Sequence, residues 1–174
     1  AFDRSRELAW VRRHVTGGKL VDVGCSWGYA LVQARSMGFE VMGTELSRTL
    51  ARIARERFDL DVMEKDFTDL PLDDEAIDAV LAAHVMQHFL DPRAFLGSAF
   101  RTLRSGGVLV GSVPNYDSYL REALGRRWKW LDPECQPYHF RPASLAREME
   151  AAGFEVELWT SEGLYGEAAI LELM

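Results

Sequence analysis

A glycine-bearing turn between an apolar strand and a helix is the part of this sequence best suited to hold a nucleotide-type ligand. The run Leu20–Val23 is apolar apart from Asp22, the turn Gly24-Cys25-Ser26-Trp27-Gly28 follows, and a helical pattern begins at Tyr29. Glycine lets the backbone turn tightly and approach a ligand, and a helix N-terminus offers free amide groups. The alternative is a turn that only joins the strand to the helix.

The glycine spacing argues against a dinucleotide site. A dinucleotide fingerprint requires G-x-G-x-x-G, and the corresponding positions here are Gly24, Ser26 and Tyr29, of which only the first matches. A nicotinamide-dependent reductase is therefore the weaker interpretation.

The turn instead resembles the D-x-G-C-G-x-G loop of class I S-adenosylmethionine-dependent methyltransferases. Asp22, Gly24, Cys25 and Gly28 match this loop, and Ser26 replaces its middle glycine. The resemblance implies that these five residues bind S-adenosylmethionine. Serine is small enough for the cofactor to approach closely.

Two later segments extend the resemblance on the cofactor side. Glu45 follows the second strand, about 20 residues beyond the turn, where a carboxylate accepts hydrogen bonds from both ribose hydroxyls, and Leu46 is next to it. Asp66 and Phe67 resemble the family segment in which an acidic side chain meets the adenine amino group and the next residues flank the ring.

The segment after the fourth strand also resembles the family. Asp78–Pro92 is similar to the pattern D-x-V-x-x-x-x-V-L-E-H-L-x-D-P, with Gln87 in place of the usual acidic residue. The resemblance places His84 among the cofactor-binding residues. Leu103–Gly107 and Ser112–Asn115 also look like small-molecule members of the family, of the ubiquinone-biosynthesis type.

Methyl transfer from a sulfonium is an in-line displacement with a strongly activated leaving group, so positioning alone supplies much of the acceleration. A hydroxyl acceptor also needs a base, and histidine titrates near neutral pH. His88 and His139 are the candidate catalytic residues. The alternatives are packing or a helix-start hydrogen bond for His88, and an ordinary aromatic-cluster contact for His139.

Three other features have mainly structural interpretations. His84 and His88 are four apart, as in some zinc sites, but no Glu follows His84 and no third ligand is suggested, so no metal is expected. The stretch Arg126–Trp130 interleaves cations with aromatic rings. This pattern fits either a segment that binds the acceptor or a solvated basic turn with packed tryptophans, and we favour the second interpretation. Cys25 lacks an adjacent histidine and is expected to be unreactive.

The elements that must position these residues alternate between strand and helix, as expected around a mainly parallel sheet. Strands are predicted at Lys19–Val23, Glu40–Thr44, Asp61–Glu64, Ile77–Ala82, Gly107–Val113, Phe154–Thr160 and Ala168–Leu173. Helices are predicted at Phe2–Val15, Tyr29–Met37, Pro92–Leu103 and Arg141–Ala152, and from the cap Ser47 to Phe58. Gly106 and Gly107 mark a turn before the fifth strand.

The family resemblance implies a Rossmann-like three-layer α/β sandwich. Its sheet should be mostly parallel and seven-stranded with an antiparallel last strand, and the cofactor should lie at the carboxyl ends of the strands. We expect residues 1–174 to form one domain. Asn115–Phe140 is aromatic without clear periodicity and is expected to be a lid or acceptor-facing insertion.

Composition limits the partners. The net charge of -7 argues against nucleic acid. The only cysteines, Cys25 and Cys135, suggest neither a disulfide framework nor a zinc site and fit a reducing cytoplasm. No apolar run reaches the roughly 18 to 20 residues of a membrane helix, and Ala1–His14 has charges instead of an apolar signal core. The chain does not begin with Met, which suggests a fragment.

The sequence therefore predicts methyl transfer from S-adenosylmethionine to a small-molecule acceptor, leaving S-adenosylhomocysteine. A NAD(P)-dependent reductase and a non-catalytic S-adenosylmethionine-binding module are the alternatives. The sequence identifies neither the acceptor nor the oligomeric state.

Overall fold

The computed structural model describes residues 3–157, 159–160 and 167–169, and its centre is a parallel sheet of five strands. These strands are β1 (Gly18–Val23), β2 (Phe39–Thr44), β3 (Asp61–Met63), β4 (Ile77–Ala83) and β5 (Leu103–Pro114). They lie in the order β3-β2-β1-β4-β5, so the chain moves outward from β1 and then returns to its other side. In open α/β sheets, ligands bind at the carboxyl ends of the strands at such a switch point.

The sheet is covered on both faces, as the sequence predicted for a Rossmann-like α/β fold. The last four residues of β1 are all buried, and so are Ala79–Ala82 in β4. Because successive strand residues point to opposite faces, continuous burial requires helices on both sides. The helices are α1 (Ser5–His14), α2 (Tyr29–Ser36), α3 (Arg48–Phe58), α4 (Pro92–Thr102), α5 (Tyr119–Leu124) and α6 (Pro142–Ala151).

Local capping explains where two of the predicted helices begin. The Ser47 hydroxyl accepts a hydrogen bond from the Leu50 backbone N–H at the start of α3. The Asp91 carboxylate accepts from the N–H groups of Arg93 and Ala94 at the start of α4, and Pro92 occupies the first helical position. These side chains satisfy N–H groups that have no partner within a helix.

The fifth strand differs from its prediction because it begins earlier, at Leu103 instead of Gly107. Its register against β4 passes from Ile77 opposite Leu103 to Ala79 opposite Val108, so residues 104–107 form an irregularity within the strand. Asp78 holds this region, because its carboxylate accepts hydrogen bonds from the Arg104 side chain (2.6 Å) and the Lys19 backbone N–H (2.7 Å). The predicted turn at Gly106 and Gly107 therefore lies inside the strand.

The end of the chain also differs in part. Residues 154–157, predicted as strand, have no regular structure, and the rings of Phe154 and Phe100 pack edge-to-face with 5.4 Å between centroids. The described strands are β6 (Trp159–Thr160) and β7 (Glu167–Ala169), which pair antiparallel with each other. β7 also pairs antiparallel with residues 112–114 of β5. Residues 170–173 of the last predicted strand lie outside the described part of the chain.

The segment Asn115–Phe140, named the strap below, crosses the carboxyl edge of the sheet. It contains the short helix α5, which buries none of its residues. Its two ends meet through a hydrogen bond from the Tyr116 N–H to the Phe140 carbonyl (2.9 Å). Among the described residues, the structure contains no helix of the length and apolar character needed to cross a membrane.

Candidate active site

The glycine turn lies at the carboxyl end of β1, between the ends of β2 and β4. Gly24 is exposed and has a φ of 67°, and a Cβ atom there would overlap the Val85 side chain. A side chain at this position would therefore be strained and would crowd the end of the strand. Glycine keeps the end of β1 open, as a ligand site requires.

Gly28 was expected to contact the cofactor, but the structure shows that packing requires a glycine there. It is buried with a φ of 86°, and a Cβ atom there would overlap the Leu60 side chain and lie 3.3 Å from the Cβ of Ala54. Packing of the start of α2 against neighbouring apolar side chains therefore requires glycine. Contact between Gly28 and a cofactor stays a prediction.

Glu45 joins the loops that follow β1 and β2. Its carboxylate accepts hydrogen bonds from the backbone N–H of Ser26 (2.9 Å) and of Ser47 (2.7 Å). Ser26 has a φ of 54°, a left-handed conformation that disfavours a side chain by about 1–2 kcal/mol. The bond to Glu45 helps to hold serine where the family loop has glycine.

Asp22 places a buried carboxyl beneath the turn. It is 4% exposed, and no described residue forms a hydrogen bond with its side chain. Burial raises its pKa to about 8; Arg4 opposes that rise, and Glu7 and Glu45 add to it. A buried carboxyl without a partner favours a cationic ligand group that would stabilise its ionised form.

Arg4 and Glu7 bring α1 into the same site, and neither residue was a candidate from the sequence. Arg4 lines a cavity of about 40 Å³ together with Asp22, Gly24 and residues 25–27. Glu7 is 7% exposed, and its carboxylate contacts the Arg4 guanidinium (3.2 Å) and the Ser112 hydroxyl of β5 (3.3 Å). The helical pattern of residues 2–15 carried no signal that a glutamate on it would be buried.

Cys25 has the character of a structural residue. Its thiol is buried, and burial, with Asp22 and Glu45 nearby, raises its pKa well above the ordinary value. The backbone N–H of Cys25 donates to the Thr44 carbonyl (2.9 Å), which ties the turn to β2. A thiol so far from ionisation is a poor nucleophile.

The remaining predicted adenosine contacts differ in accessibility. Leu46 is 69% exposed at the end of β2, where a ligand can cover it. The Asp66 carboxylate accepts from the N–H (2.9 Å) and hydroxyl (2.8 Å) of Thr68 and caps a short 3₁₀ turn. Phe67 is only 2% exposed and packs edge-on against Phe95, so its ring cannot flank a ligand without moving.

His84 lies at the end of β4, beneath the strap. It adopts a φ of 59°, its N–H donates to the Ser112 carbonyl (2.7 Å), and its ring stacks on Trp130 at 5.6 Å. The stretch 126–130 contains one further tryptophan, Trp128, which is buried. Both tryptophans thus pack against protein, as the structural interpretation of this basic stretch predicted.

His88 links β4 to the strap. Its Nδ1 donates to the Cys135 carbonyl (2.6 Å), since a carbonyl only accepts, and its Nε2 lies 3.3 Å from the Gln87 amide nitrogen. The same amide nitrogen donates to the His84 carbonyl (2.9 Å). In the neutral ring the lone pair is therefore on Nε2, where it faces the Gln87 donor.

His139 lines a cavity of about 600 Å³ together with residues 90–93, Tyr138 and Phe140. Its Nε2 donates to the Trp130 carbonyl (3.1 Å), so the lone pair of the neutral ring is on Nδ1. The edge of its ring also contacts Tyr116. The described residues contain no group of three or more metal-type ligands close enough to hold an ion.

Comparison with known proteins agrees with this geometry. Residues 3–158 match the family model described as a methyltransferase domain. The chain is 30% identical to a probable S-adenosylmethionine-dependent methyltransferase from Mycolicibacterium smegmatis, over 97% of this chain and 67% of that protein. The chain belongs to the S-adenosylmethionine-dependent methyltransferase family.

Other members of this methyltransferase family support the assignment. A ubiquinone biosynthesis O-methyltransferase from Thiobacillus denitrificans is 29% identical, with 86% of this chain and 71% of that protein aligned. The structure of a Thermotoga maritima methyltransferase, described as a possible histamine N-methyltransferase, has a TM-score of 0.74 at 26% identity and covers 95% of this chain and 87% of its own. The chain spans about half, 52%, of the length of two relatives from Mycobacterium tuberculosis.

The residues at the glycine turn fit the cofactor of this methyltransferase family. S-adenosylmethionine presents an ammonium group, a carboxylate and two ribose hydroxyls. The site offers the carboxyl of Asp22, which has no hydrogen-bonding partner among the described residues, the guanidinium of Arg4 and the carboxylate of Glu45 for groups of these three kinds. Gly24 contributes a position where a Cβ atom would not fit.

Proposed function

We propose that this protein transfers a methyl group from S-adenosylmethionine to a small-molecule acceptor by in-line displacement. The observation that carries the proposal is the cluster at the switch point of the sheet. There Asp22, buried and without a hydrogen-bonding partner among the described residues, lines a cavity with Arg4, and Glu45 spans the ends of β1 and β2. The family membership favours methyl transfer over the reductase interpretation.

The proposed cofactor-binding residues follow β1 to β4. Asp22 and Arg4 hold the oppositely charged groups at the amino-acid end, and Glu45 accepts from the ribose hydroxyls. Cys25 and Phe67 have buried side chains, so they contribute backbone groups. The other proposed contacts are Gly24, Ser26, Gly28, Leu46, Asp66 and His84.

The proposed acceptor side is formed by the strap, which acts as a lid. Two imidazoles beneath or beside it are candidates for the base that a hydroxyl acceptor requires. The lone pair of His139 is on Nδ1, which has no hydrogen-bonding partner among the described residues, whereas the lone pair of His88 faces the Gln87 amide. His139 is thus better prepared to accept a proton, and His88 must first separate from Gln87.

The protein's contribution to the reaction is mainly positioning. When bound, S-adenosylmethionine supplies a sulfonium that activates its methyl group for displacement. Arg4, Asp22 and Glu45 orient the two ends of the cofactor, which fixes the direction in which the methyl group faces. The strap excludes water, and an imidazole removes the acceptor proton when the acceptor is a hydroxyl.

We also propose the class of acceptor, the cellular location and the domain organisation of the protein. The matched relatives include proteins named for ubiquinone biosynthesis and for methylation of malonyl-[acyl-carrier protein], which supports a non-nucleic-acid acceptor. We place the protein in the cytoplasm, free of membrane, as one domain over residues 1–174. We further propose a seven-stranded sheet with an antiparallel last strand, supported by the pairing of residues 167–169 with β5.

Calorimetric titration with S-adenosylmethionine, S-adenosylhomocysteine and NADH tests the proposal. We expect micromolar binding of both sulfur compounds, and we expect Glu45→Ala to weaken it about tenfold or more, because a charged hydrogen-bond acceptor is lost. Glu56→Ala, an exposed position on α3, is the matched control and should bind as the wild type does. Binding of NADH alone would overturn the proposal. Cofactor binding without turnover on any acceptor of a broad panel would favour the non-catalytic module.

A further inference from the structure

The cofactor site brings together a guanidinium and a buried carboxyl, which would occupy each other if they paired. Arg4 and Asp22 line the same small cavity, and Arg4 acts electrostatically on the Asp22 carboxyl. A guanidinium that reached Asp22 would favour the ionised form of that carboxyl, and the two charges would then pair strongly where water is scarce. If they paired, both groups would be lost to the cofactor.

The carboxylate of Glu7 binds the Arg4 guanidinium from the side of α1. Glu7 lies one turn along α1 from Arg4, and its Oε1 lies 3.2 Å from the Arg4 guanidinium. The hydroxyl of Ser112, 105 residues away in the chain, donates to the same oxygen at 3.3 Å. The Arg4 backbone is fixed as well, because its N–H donates to the Gln33 side chain of α2 (3.3 Å).

The guanidinium keeps most of its donors free. Among the described residues, its only hydrogen bond is the one that its NH1 group gives to Glu7. A guanidinium has five N–H donors in a fixed fork, so an edge remains for a bidentate carboxylate. Asp22, with no hydrogen bond from the described residues, likewise remains free for a cation.

We propose that Glu7 is a positioning residue that holds Arg4 on α1 and away from Asp22, so that both stay available to the amino-acid end of the cofactor. This inference rests on the proposed function. Glu7 acts through Arg4 and needs no contact with the cofactor. Ser112 supports it by fixing the Glu7 carboxylate to the end of β5.

The test compares two probes that differ only at the amino-acid end. S-adenosylhomocysteine has a carboxylate and an ammonium group there, whereas 5′-methylthioadenosine lacks both. We expect Glu7→Gln to weaken binding of S-adenosylhomocysteine about tenfold, as for loss of a charge-assisted hydrogen bond, and to leave binding of 5′-methylthioadenosine within about twofold. Glu150→Gln, at an exposed position on α6, is the control and should change neither.

A double-mutant cycle shows whether Glu7 acts through Arg4. In an Arg4→Ala background, Glu7→Gln should cause no further loss of S-adenosylhomocysteine affinity. Ser112→Ala, which keeps both charges, should give a smaller loss than Glu7→Gln, again confined to S-adenosylhomocysteine. Unchanged 5′-methylthioadenosine binding also shows that each variant is folded.

The outcomes separate this inference from the proposed function. Equal weakening of both probes by Glu7→Gln, no weakening of either, or additive losses in the cycle would overturn the role of Glu7 while leaving cofactor binding intact. Failure of the wild type to bind either probe would overturn the proposed function itself, and the role of Glu7 with it.

Discussion

Asp22 is a buried carboxyl whose pKa differs between the folded and the unfolded chain. Burial raises its pKa from 3.8 to about 8. The unfolded chain therefore loses this proton at a lower pH than the folded chain does. The stability that the neutral carboxyl contributes is complete below about pH 3.8 and is lost as the pH rises through about 8. At neutral pH Asp22 is thus largely protonated until a cation binds beside it.

We expect cofactor binding at pH 7 to release this proton, because a bound ammonium group favours the ionised carboxylate. Titration with S-adenosylhomocysteine in phosphate and in Tris, whose ionisation enthalpies differ, measures the number released. The wild type should release up to about one proton and Asp22→Asn none, whereas the exposed control Asp73→Asn should behave as the wild type does. Equal apparent enthalpies in the two buffers for the wild type would show that Asp22 does not ionise on binding.

At the scale of single elements, the start of α2 depends on the absence of a side chain at Gly28. Gly28→Ala combines a left-handed φ of 86° with overlap on Leu60, whereas Gly38→Ala has a φ of 94° and no atom within 4 Å of the new Cβ. Both substitutions place an alanine in a left-handed backbone conformation, but only Gly28→Ala also makes the new Cβ overlap a neighbouring side chain. We expect Gly28→Ala to be about 1–3 kcal/mol more destabilising than Gly38→Ala. Urea denaturation measures the difference, and equal losses would show that α2 shifts to make room.

The elements that the sequence predicts well are those fixed by neighbouring residues. Ser47 and the pair Asp91-Pro92 cap helices within one turn, and the apolar run of β4 needs no distant partner to be recognised. The start of β5 was mispredicted because Asp78, across the sheet, stabilises the irregularity at residues 104–107. Local pattern contains no information on that contact.

In the candidate site, too, some features depend on neighbouring residues and others depend on contacts that are distant in sequence. The spacing of Asp22, Gly24 and Glu45 is a local signal, and the structure brings all three to one edge of the sheet. The burial of Phe67 depends on Phe95, and that of Glu7 on Ser112, both distant in sequence. Sequence reasoning therefore found the residues that the loops present and missed those that tertiary packing adds.

For the whole molecule, the site is assembled from segments that are far apart in the chain. The start of α1 supplies Arg4 and Glu7, β1 supplies Asp22, the loop after β2 supplies Glu45, and β5 supplies Ser112. Because β5 pairs with β4 on one side and with β7 on the other, its carboxyl end is held from both directions. The Ser112 position, and through it Glu7, therefore depends on how firmly the edge of the sheet is closed.

A chain that ends at residue 157, and so lacks β6 and β7, tests this dependence. Residues 112–114 of β5 would lose their antiparallel partner, so we expect peptides that contain Ser112 and Val113 to exchange amide hydrogens at least about tenfold faster than in the full chain. Peptides from β1, which lies between β2 and β4, serve as the internal control and should exchange at an unchanged rate. The truncated chain should also bind S-adenosylhomocysteine more weakly, since Ser112 fixes Glu7, while its affinity for 5′-methylthioadenosine stays close to that of the full chain. Identical exchange at Ser112 and Val113 in the two chains would mean that β7 does not close the sheet, and the seven-stranded arrangement would then be wrong.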